Sequence, residues 1–257
     1  MEVDTTKPSP SRIYDYWLGG NHNFEADRQA ADRLLQSVPS AKNAALLNRW
    51  FLHAVVQQLV DGGFPHYLDL ASGLPTQGYI HELAPAAKVF YCDIDPVTVQ
   101  FANQIIGDNP QVRFIQGNIK DIDRVLTEAD AHFGGSQKTA ISFIGSTYFF
   151  NDDDLQRMLD RLFDWCAPGS QLAASWVVGD DERFQRSAAG KMYAMMGSPV
   201  YLRTEEQVRA LLHRWQLNDA VLRPLSQWSD MPDWRVGGMQ DGDINDGELY
   251  GVVVTKL

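Results

Sequence analysis

The chain has 257 residues, of which 44% are hydrophobic and 21% charged, enough to bury a substantial core in an ordinary globular protein. Its 33 acidic against 22 basic residues give a formal charge of −11, and with no basic run to reverse it such a surface repels phosphate backbones, so nucleic acid is not expected as a partner. The polar N-terminus MEVDTTKPSPS, the absence of a membrane-length apolar run, and two cysteines (Cys92 and Cys166) outside any C-x-x-C spacing predict a cytoplasmic protein. That protein has reduced thiols, no zinc and no membrane contact.

In chain order, residues 1–11 are rich in Pro, Ser and Thr and are expected to be flexible. A segment mixing aromatics, glycines and charge leads into a predicted helix over 24–36, broken by Pro39. A long helix is predicted over 41–60, because Leu47, Trp50, Phe51, Val55 and Leu59 recur at three- and four-residue steps; Gly62-Gly63 stops it. Short apolar runs then alternate with helical patterns. Strands are predicted over 66–71, 88–93, 112–116, 139–144 and 171–178. Helices are predicted over 76–83, 96–106, 121–129 and 151–166, the last capped by Asn151 or Asp152. This alternation calls for a parallel sheet covered on both faces. An insertion over 179–203 has a helical look at 182–196, and 204–215 reads as helix. Two late strands over 216–223 and 248–256, with no helix between them, suggest an antiparallel edge pair. The connecting DGDINDGE (241–248) resembles a calcium loop, but Asp246 and Val252 stand where an EF-hand needs Gly and Glu, so a polar hairpin loop is expected.

The stretch LDLASGLPTQG (68–78) carries the chemistry. It reads as strand, small-residue turn, then helix, and in open parallel sheets ligands bind beyond the carboxyl ends of the strands. A phosphate loop is rejected because G-x-x-x-x-G-K-[ST] is absent. A dinucleotide fingerprint aligned on Gly73 would need glycine at Ala71 and Thr76, and Asp69 would disfavour a pyrophosphate. A nucleoside ligand with positive charge, S-adenosylmethionine, suits Asp69 and the small residues Ala71, Ser72 and Gly73. Asp93 ends the next strand, at about the 20-residue distance where an acid grips ribose hydroxyls. The competing reading of the turn is a plain strand–helix connection, and for Asp95 an N-cap before Pro96 is preferred.

Together, SRIYDYWLGGNHNFEADR (11–28), NRWFL (48–52), LDLASGLPTQGYIHELA (68–84) and YCDIDPVTV (91–99) resemble a bacterial family of S-adenosylmethionine-dependent methyltransferases, long known only as a domain of unknown function. The resemblance implies the Rossmann-like class I methyltransferase fold of α/β class. That fold is a seven-stranded, mostly parallel sheet in the order 3-2-1-4-5-7-6, with helices on both faces. It also implies a helical cap over 1–63 packed on a methyltransferase core over 64–257, as effectively one structural domain. Carried over residue by residue, it implies that Asp69, Ala71, Ser72 and Gly73 line the methionine part of the donor. Asp93 would hold ribose and Ile94 adenine. Asn118 and Ile119 would reach the adenine edge, and Gly145 and Ser146 the sulfonium. Arg12 would pair with the donor carboxylate, and Tyr14, Gly19, Gly20 and Asn23 would complete a lid, while Trp17 and Phe24 are read as packing. The chain departs from the family at Ala71, in place of a glycine, and at Asn118, often Asp. It also has GSTYFFND after the fourth strand, where relatives carry a histidine.

Methyl transfer needs alignment of donor and acceptor, and needs a base only when the acceptor must lose a proton. Tyr148 and His81 are the catalytic candidates; Asp180 and His22 are weaker ones, and His22 is expected to face solvent. Trp17, Tyr148, Phe149, Trp176 and Tyr201 suit an apolar small-molecule acceptor, with Met192, Tyr193, Met195 and Met196 in the insertion. The expected activity is methyl transfer from S-adenosylmethionine to a small molecule, leaving S-adenosylhomocysteine. The alternative is a non-catalytic binder of these two, acting as sensor or partner subunit. A nicotinamide oxidoreductase is disfavoured, and the [DNS]-P-P-[YF] tetrad of DNA methylases is absent. A homodimer is compatible with the chain.

Overall fold

The computed structural model describes residues 4–75, 78–135, 138–217, 222–228 and 247–257. The chain opens with helices α1 (Pro10–Trp17), α2 (Glu25–Ser37) and α3 (Ala41–Asp61). Strands and helices then alternate: β1 (His66–Leu70), α4 (Ile80–Leu83), β2 (Lys88–Asp93), α5 (Pro96–Ile106), β3 (Val112–Gln116) and α6 (Ile122–Phe133). They are followed by β4 (Thr139–Phe143), α7 (Asp152–Trp165), β5 (Gln171–Gly179), α8 (Asp181–Arg186), α9 (Ala188–Met195), α10 (Glu205–Leu211), β6 (Arg223–Pro224) and β7 (Gly247–Thr255). The seven strands form one sheet in the order β3-β2-β1-β4-β5-β7-β6. The first five are parallel, and β7 runs antiparallel to both β5 and β6.

Side-chain alternation along the strands divides the core in two. Leu68, Leu70, Phe90 and Cys92 pack towards α6, α7 and α10, through Val125, Leu159 and Leu211. Tyr67, Val89 and Tyr91 face the other way, onto Phe51 and Val55 of α3 and Ile80 of α4. Asp69 and Asp93 share the parity of Tyr67 and Tyr91, so the strand period aims both carboxylates at the α3 side. A smaller core of Ile13, Trp17, Ala31, Leu34 and Ala45 holds α1, α2 and α3 together. Cys92 and Cys166 are buried free thiols. Among the described residues no helix is long and apolar enough to cross a membrane.

Several local expectations need correction. Residues 10–17, given no helix from sequence, form α1, which starts at Pro10 because proline at the first helical position gives up no needed N–H. The helix expected over 76–83 is the single turn Ile80–Leu83; residues 76 and 77 lie outside the described set. The helix over 182–196 is two, because the Ser187 side chain stops α8 and accepts the Gly190 N–H at 3.0 Å to cap α9. The strand over 216–223 shrinks to Arg223–Pro224, with Gln216 making only an isolated bridge to Thr255; residues 218–221 are not described. The hairpin loop expected at 241–248 lies outside the described residues up to 246. Asn151 caps α7 as expected, accepting from the Asp154 N–H at 2.9 Å.

Candidate functional site

The parallel strands deliver Asp69 and Asp93 to the carboxyl edge of the sheet, with Asp69 in register with Tyr91 on one side and Ser142 on the other. The turn after β1 is stapled to β2. Ser72 donates its backbone N–H to the Cys92 carbonyl at 3.0 Å, and its hydroxyl to the Asp69 carbonyl at 2.9 Å. The turn closes through two left-handed residues, Ala71 at φ 52° and Gly73 at φ 67°. Gly73 faces open space, since an added Cβ would meet nothing within 4 Å. Ala71 is the only described non-glycine with positive φ, a conformation that costs an L-residue about 1–2 kcal/mol. Replacing Ala71 by Gly relieves that strain but adds freedom to the unfolded chain. The expected net gain is roughly 0.5–1 kcal/mol, about 1–4 °C in Tm by calorimetry; an unchanged or lower Tm would mean the turn is unstrained.

Both carboxylates are buried, Asp69 4% and Asp93 5% exposed. Burial pushes Asp69 up to about 6, against the Ser142 hydroxyl, the Arg49 guanidinium and the Ser72 hydroxyl. Burial pushes Asp93 up to about 6 as well, against the backbone N–H groups of Asp95 and Gly73, each 2.9 Å from a carboxylate oxygen. Such groups are held charged at a cost that a cation or hydroxyl donor would offset.

A cavity of about 400 Å³ opens beyond this edge, within the size range of about 300–1,000 Å³ usual for small-molecule sites. Of the residues singled out from sequence, Tyr14, Asp69, Ala71, Ser72, Gly73 and Asp93 line it, as do Ile94, Gly145, Ser146 and Tyr148. Ile94 is 62% exposed. Arg12, Gly20, Asn23, Asn118 and Ile119 are not among its lining residues. Arg12 is instead spent inside the protein, with Nε 2.9 Å from Asp27, one terminal nitrogen 2.5 Å from Asp95, and the other 2.7 Å from the Lys7 carbonyl. Asn23 donates to the buried Asp15 carboxylate at 3.0 Å, and Gly20 packs on the same group so closely that a Cβ would fall 2.0 Å from an Asp15 oxygen. Asn118 is exposed and accepts from the Lys120 N–H at 3.0 Å, while Ile119 belongs to the core. Asp95 is the N-cap of α5, accepting from the Val97 N–H at 3.0 Å.

The catalytic candidates separate in the same way. Tyr148 lines the cavity, but burial raises its phenol well above its usual value, so it does not ionise near neutrality. His81 is not a lining residue; its Nδ1 is 2.9 Å from the Tyr91 hydroxyl, which also accepts its backbone N–H. Asp180 caps α8. His22, expected to face solvent, is half-buried with its ring edge-on to Phe101 at 4.9 Å. Trp17 and Phe149 line the cavity, whereas Trp176 is a core residue and Tyr201 is not among the lining residues. In the insertion, Tyr193 and Met196 line the cavity, and Met195 is 82% exposed.

Arg49 is the residue missed from sequence. Among the described residues it is the only Lys, Arg or His lining the cavity. Its guanidinium lies 5.0 Å from the Tyr79 ring centroid, and its Nε is buried without a hydrogen-bond partner. The signal was a lone cation inside the apolar stripe of α3, in NRWFL.

This strand order, with acids closing the first two strands and a cavity over the carboxyl edge, defines a Rossmann-like class I methyltransferase fold. The chain belongs to the S-adenosyl methyltransferase family, whose profile matches residues 1–254; S-adenosylmethionine is its methyl donor and S-adenosylhomocysteine the product. It is similar to the crystal structure of a candidate methyltransferase from Thermobifida fusca, at 27% identity over 98% of this chain and 96% of that one, with a TM-score of 0.87. It is also similar to a DUF574 family protein from Streptomyces avermitilis, at 25% identity over 100% of both chains and a TM-score of 0.85. The plantazolicin methyltransferase BamL, solved with S-adenosylhomocysteine and a substrate analogue, shares the fold at 11% identity over 96% of both chains and a TM-score of 0.57. No curated protein sequence matches the chain.

Proposed function

We propose that the cavity holds the methyl donor at its sheet end and a small-molecule acceptor at its apolar end, under a cap formed by residues 1–63. The observation that carries this reading is two buried aspartates flanking the open Gly73 turn, with Arg49 beside Asp69. The residues suit the donor's groups. Asp69 with Ala71, Ser72 and Gly73 borders the methionine part, Asp93 accepts from ribose hydroxyls, and Ile94 offers an apolar face to adenine. Gly145 and Ser146 border the sulfonium. Arg49 takes the carboxylate in place of Arg12, since a guanidinium pairs a carboxylate bidentately. When bound, S-adenosylmethionine supplies an electrophilic methyl carbon on a positively charged sulfur. The chain's own residues hold, orient and exclude water; α1 covers the site through Ile13, Tyr14 and Trp17.

The test is calorimetric binding of S-adenosylmethionine and its decarboxylated analogue to the natural chain and to Arg49→Met. The natural chain is expected to prefer the carboxylated ligand by about 10–100-fold, a preference worth roughly 1.5–3 kcal/mol that the variant loses. An undiminished preference in the variant would remove Arg49 from the site, and no binding of either ligand to folded protein would end the donor assignment.

The raised carboxyls give opposite pH responses. Their folded values near 6 lie above the unfolded range of about 4, so protonation favours the folded state. The stability they contribute is full below about pH 4 and lost as pH rises through 6. Donor binding needs both groups ionised. Acidification from pH 7 to 5 is therefore expected to weaken donor binding while these two groups favour the ligand-free fold. Titration calorimetry and melting across that range check it; affinity that holds constant to pH 5 would count against ionised aspartates at the donor.

A further inference from the structure

Part of the cavity lining is one apolar cluster, Phe184, Val200 and Leu202 with Phe149 and Tyr193 packed on it, and with Leu34 these residues make its apolar arm. Among the described lining residues six side chains carry a buried polar atom without a hydrogen-bond partner, Trp17 Nε1, Ser40 Oγ, Asn48 Oδ1, Arg49 Nε, Ser142 Oγ and Ser146 Oγ, and of these Asn48 Oδ1 alone can only accept. Asn48 and Ser146 are only 1% and 6% exposed, and Asn48 Oδ1 and Ser146 Oγ have no hydrogen-bond partner within the protein. Asn48 stands next to Gly145, where an added Cβ would lie 3.7 Å from its amide nitrogen and 3.9 Å from the Tyr14 hydroxyl. The Asn48 amide also hydrogen-bonds the Tyr148 side chain, which leaves Oδ1 as its open atom; a buried carbonyl oxygen left unpaired costs about 1–3 kcal/mol, so this one calls for an N–H or O–H from a ligand.

The charges bound what that ligand is. Among the described lining residues the ionised groups are Arg49, Asp69 and Asp93, all at the donor end. A charged acceptor would enter the apolar arm with no counterion to replace its water. Burial pushes Tyr14 and Tyr193 up to about 12 and Tyr148 well above its usual value, so none of the three serves as a base; the two lining carboxylates are taken up at the donor end, Asp93 by the Gly73 and Asp95 N–H groups and Asp69 beside Arg49. An alcohol or phenol needs a base to become a nucleophile, whereas an uncharged amine carries its lone pair already. An alkylamine is a cation near neutrality; an arylamine is not.

Resting on the donor reading above, we propose that the acceptor is an apolar arylamine whose N–H donates to Asn48 Oδ1, and that it is methylated on nitrogen. The nitrogen lone pair forms the new N–C bond. The C–S bond breaks with its electron pair going to sulfur, so the positive charge passes from sulfur to nitrogen. The resulting ammonium then releases its proton to water. Asn48 is the positioning residue, and no base on the protein takes part before the bond forms.

The experiment uses 4-propylaniline, 4-propylphenol and propylbenzene. Against protein saturated with S-adenosylhomocysteine, calorimetry is expected to show the first two binding about tenfold more tightly than propylbenzene, which has no donor, and Asn48→Leu is expected to erase that gap. With S-adenosylmethionine, the aniline is expected to gain a methyl group on nitrogen and the phenol to react at roughly one-hundredth of that rate or less. The comparison within the natural chain stands even if Asn48→Leu does not fold. Equal methylation of the phenol, equal binding of propylbenzene, or no binding of any of the three to protein that holds S-adenosylhomocysteine would overturn the proposal. Failure to bind S-adenosylhomocysteine would overturn the donor reading instead.

Discussion

Asp93→Ala is expected to weaken S-adenosylmethionine binding on the order of 100-fold or more, by removing a charged acceptor worth about 1.5–3 kcal/mol for each ribose hydrogen bond. Asp93 has a second task that must be separated from the first. Its oxygens accept the Gly73 and Asp95 N–H groups at 2.9 Å, so it also braces the turn after β1 and the start of α5. A ligand-side control divides the two. If Asp93 grips ribose, S-adenosylhomocysteine lacking its ribose hydroxyls should bind the variant and the natural chain with similar affinity. If it only braces the turn, the deoxygenated ligand should lose as much as the intact one. Calorimetry on four combinations of protein and ligand gives the answer, with circular dichroism to establish that the variant is folded.

The sheet was legible because its strands obey the simplest pattern. β1, β2, β3, β4 and β5 are short apolar runs bounded by turn residues, and a parallel sheet buried on both faces demands that. The two acids at strand ends were legible for the complementary reason, since a carboxylate closing an apolar run has no packing role. The strand order is different, because periodicity is silent on which strand lies beside which; it rested on resemblance. What stayed hidden shares one cause. Helical patterning assumes that charge faces water, and α1 buries Arg12 and Asp15 at 3% and 2% exposure. A helix with its charges inside reads as an irregular segment. Arg49 escaped notice in the same way, as a charge in the apolar stripe of α3 that points into a cavity instead of solvent.

The same inversion reassigns the N-terminal signature. YDYWLGGNHNF reads as a lid whose polar residues touch ligand. In the structure Asp15 is its centre, accepting from the His22 N–H at 2.9 Å and from Asn23 at 3.0 Å, with Gly20 pressed against it. The motif therefore folds the segment onto itself, and Tyr14, anchored by its hydroxyl on the Ala45 carbonyl at 2.8 Å, is the part that reaches the cavity. Specific sequence here encodes the shape of the N-terminal segment more than a set of cavity contacts.

Arg12 is where this distinction gives the largest stability effect. Its side chain is 4% exposed and bridges Asp27, itself fully buried, and Asp95, 9% exposed. Asp27 also accepts the N–H groups of Ser9 and Phe24, at 2.9 and 2.8 Å, and Asp95 caps α5. One guanidinium thus ties the chain before α1, the start of α2 and α5, the helix after β2. Arg12→Met would leave two buried carboxylates without a counterion, a change that costs about 3–5 kcal/mol and lowers Tm by roughly 10 °C in a chain of this size. Arg12→Lys keeps the charge but not the fork that reaches both partners, and should fall between the two. Had Arg12 been the partner of the donor carboxylate, the Met variant would melt like the natural chain and would no longer prefer S-adenosylmethionine over its decarboxylated analogue. The ion-pair assignment expects the reverse: a much lower melting temperature, and a preference for the carboxylated ligand that survives at temperatures where the variant is folded. Calorimetric melting and the two-ligand binding comparison on the same preparation decide between them.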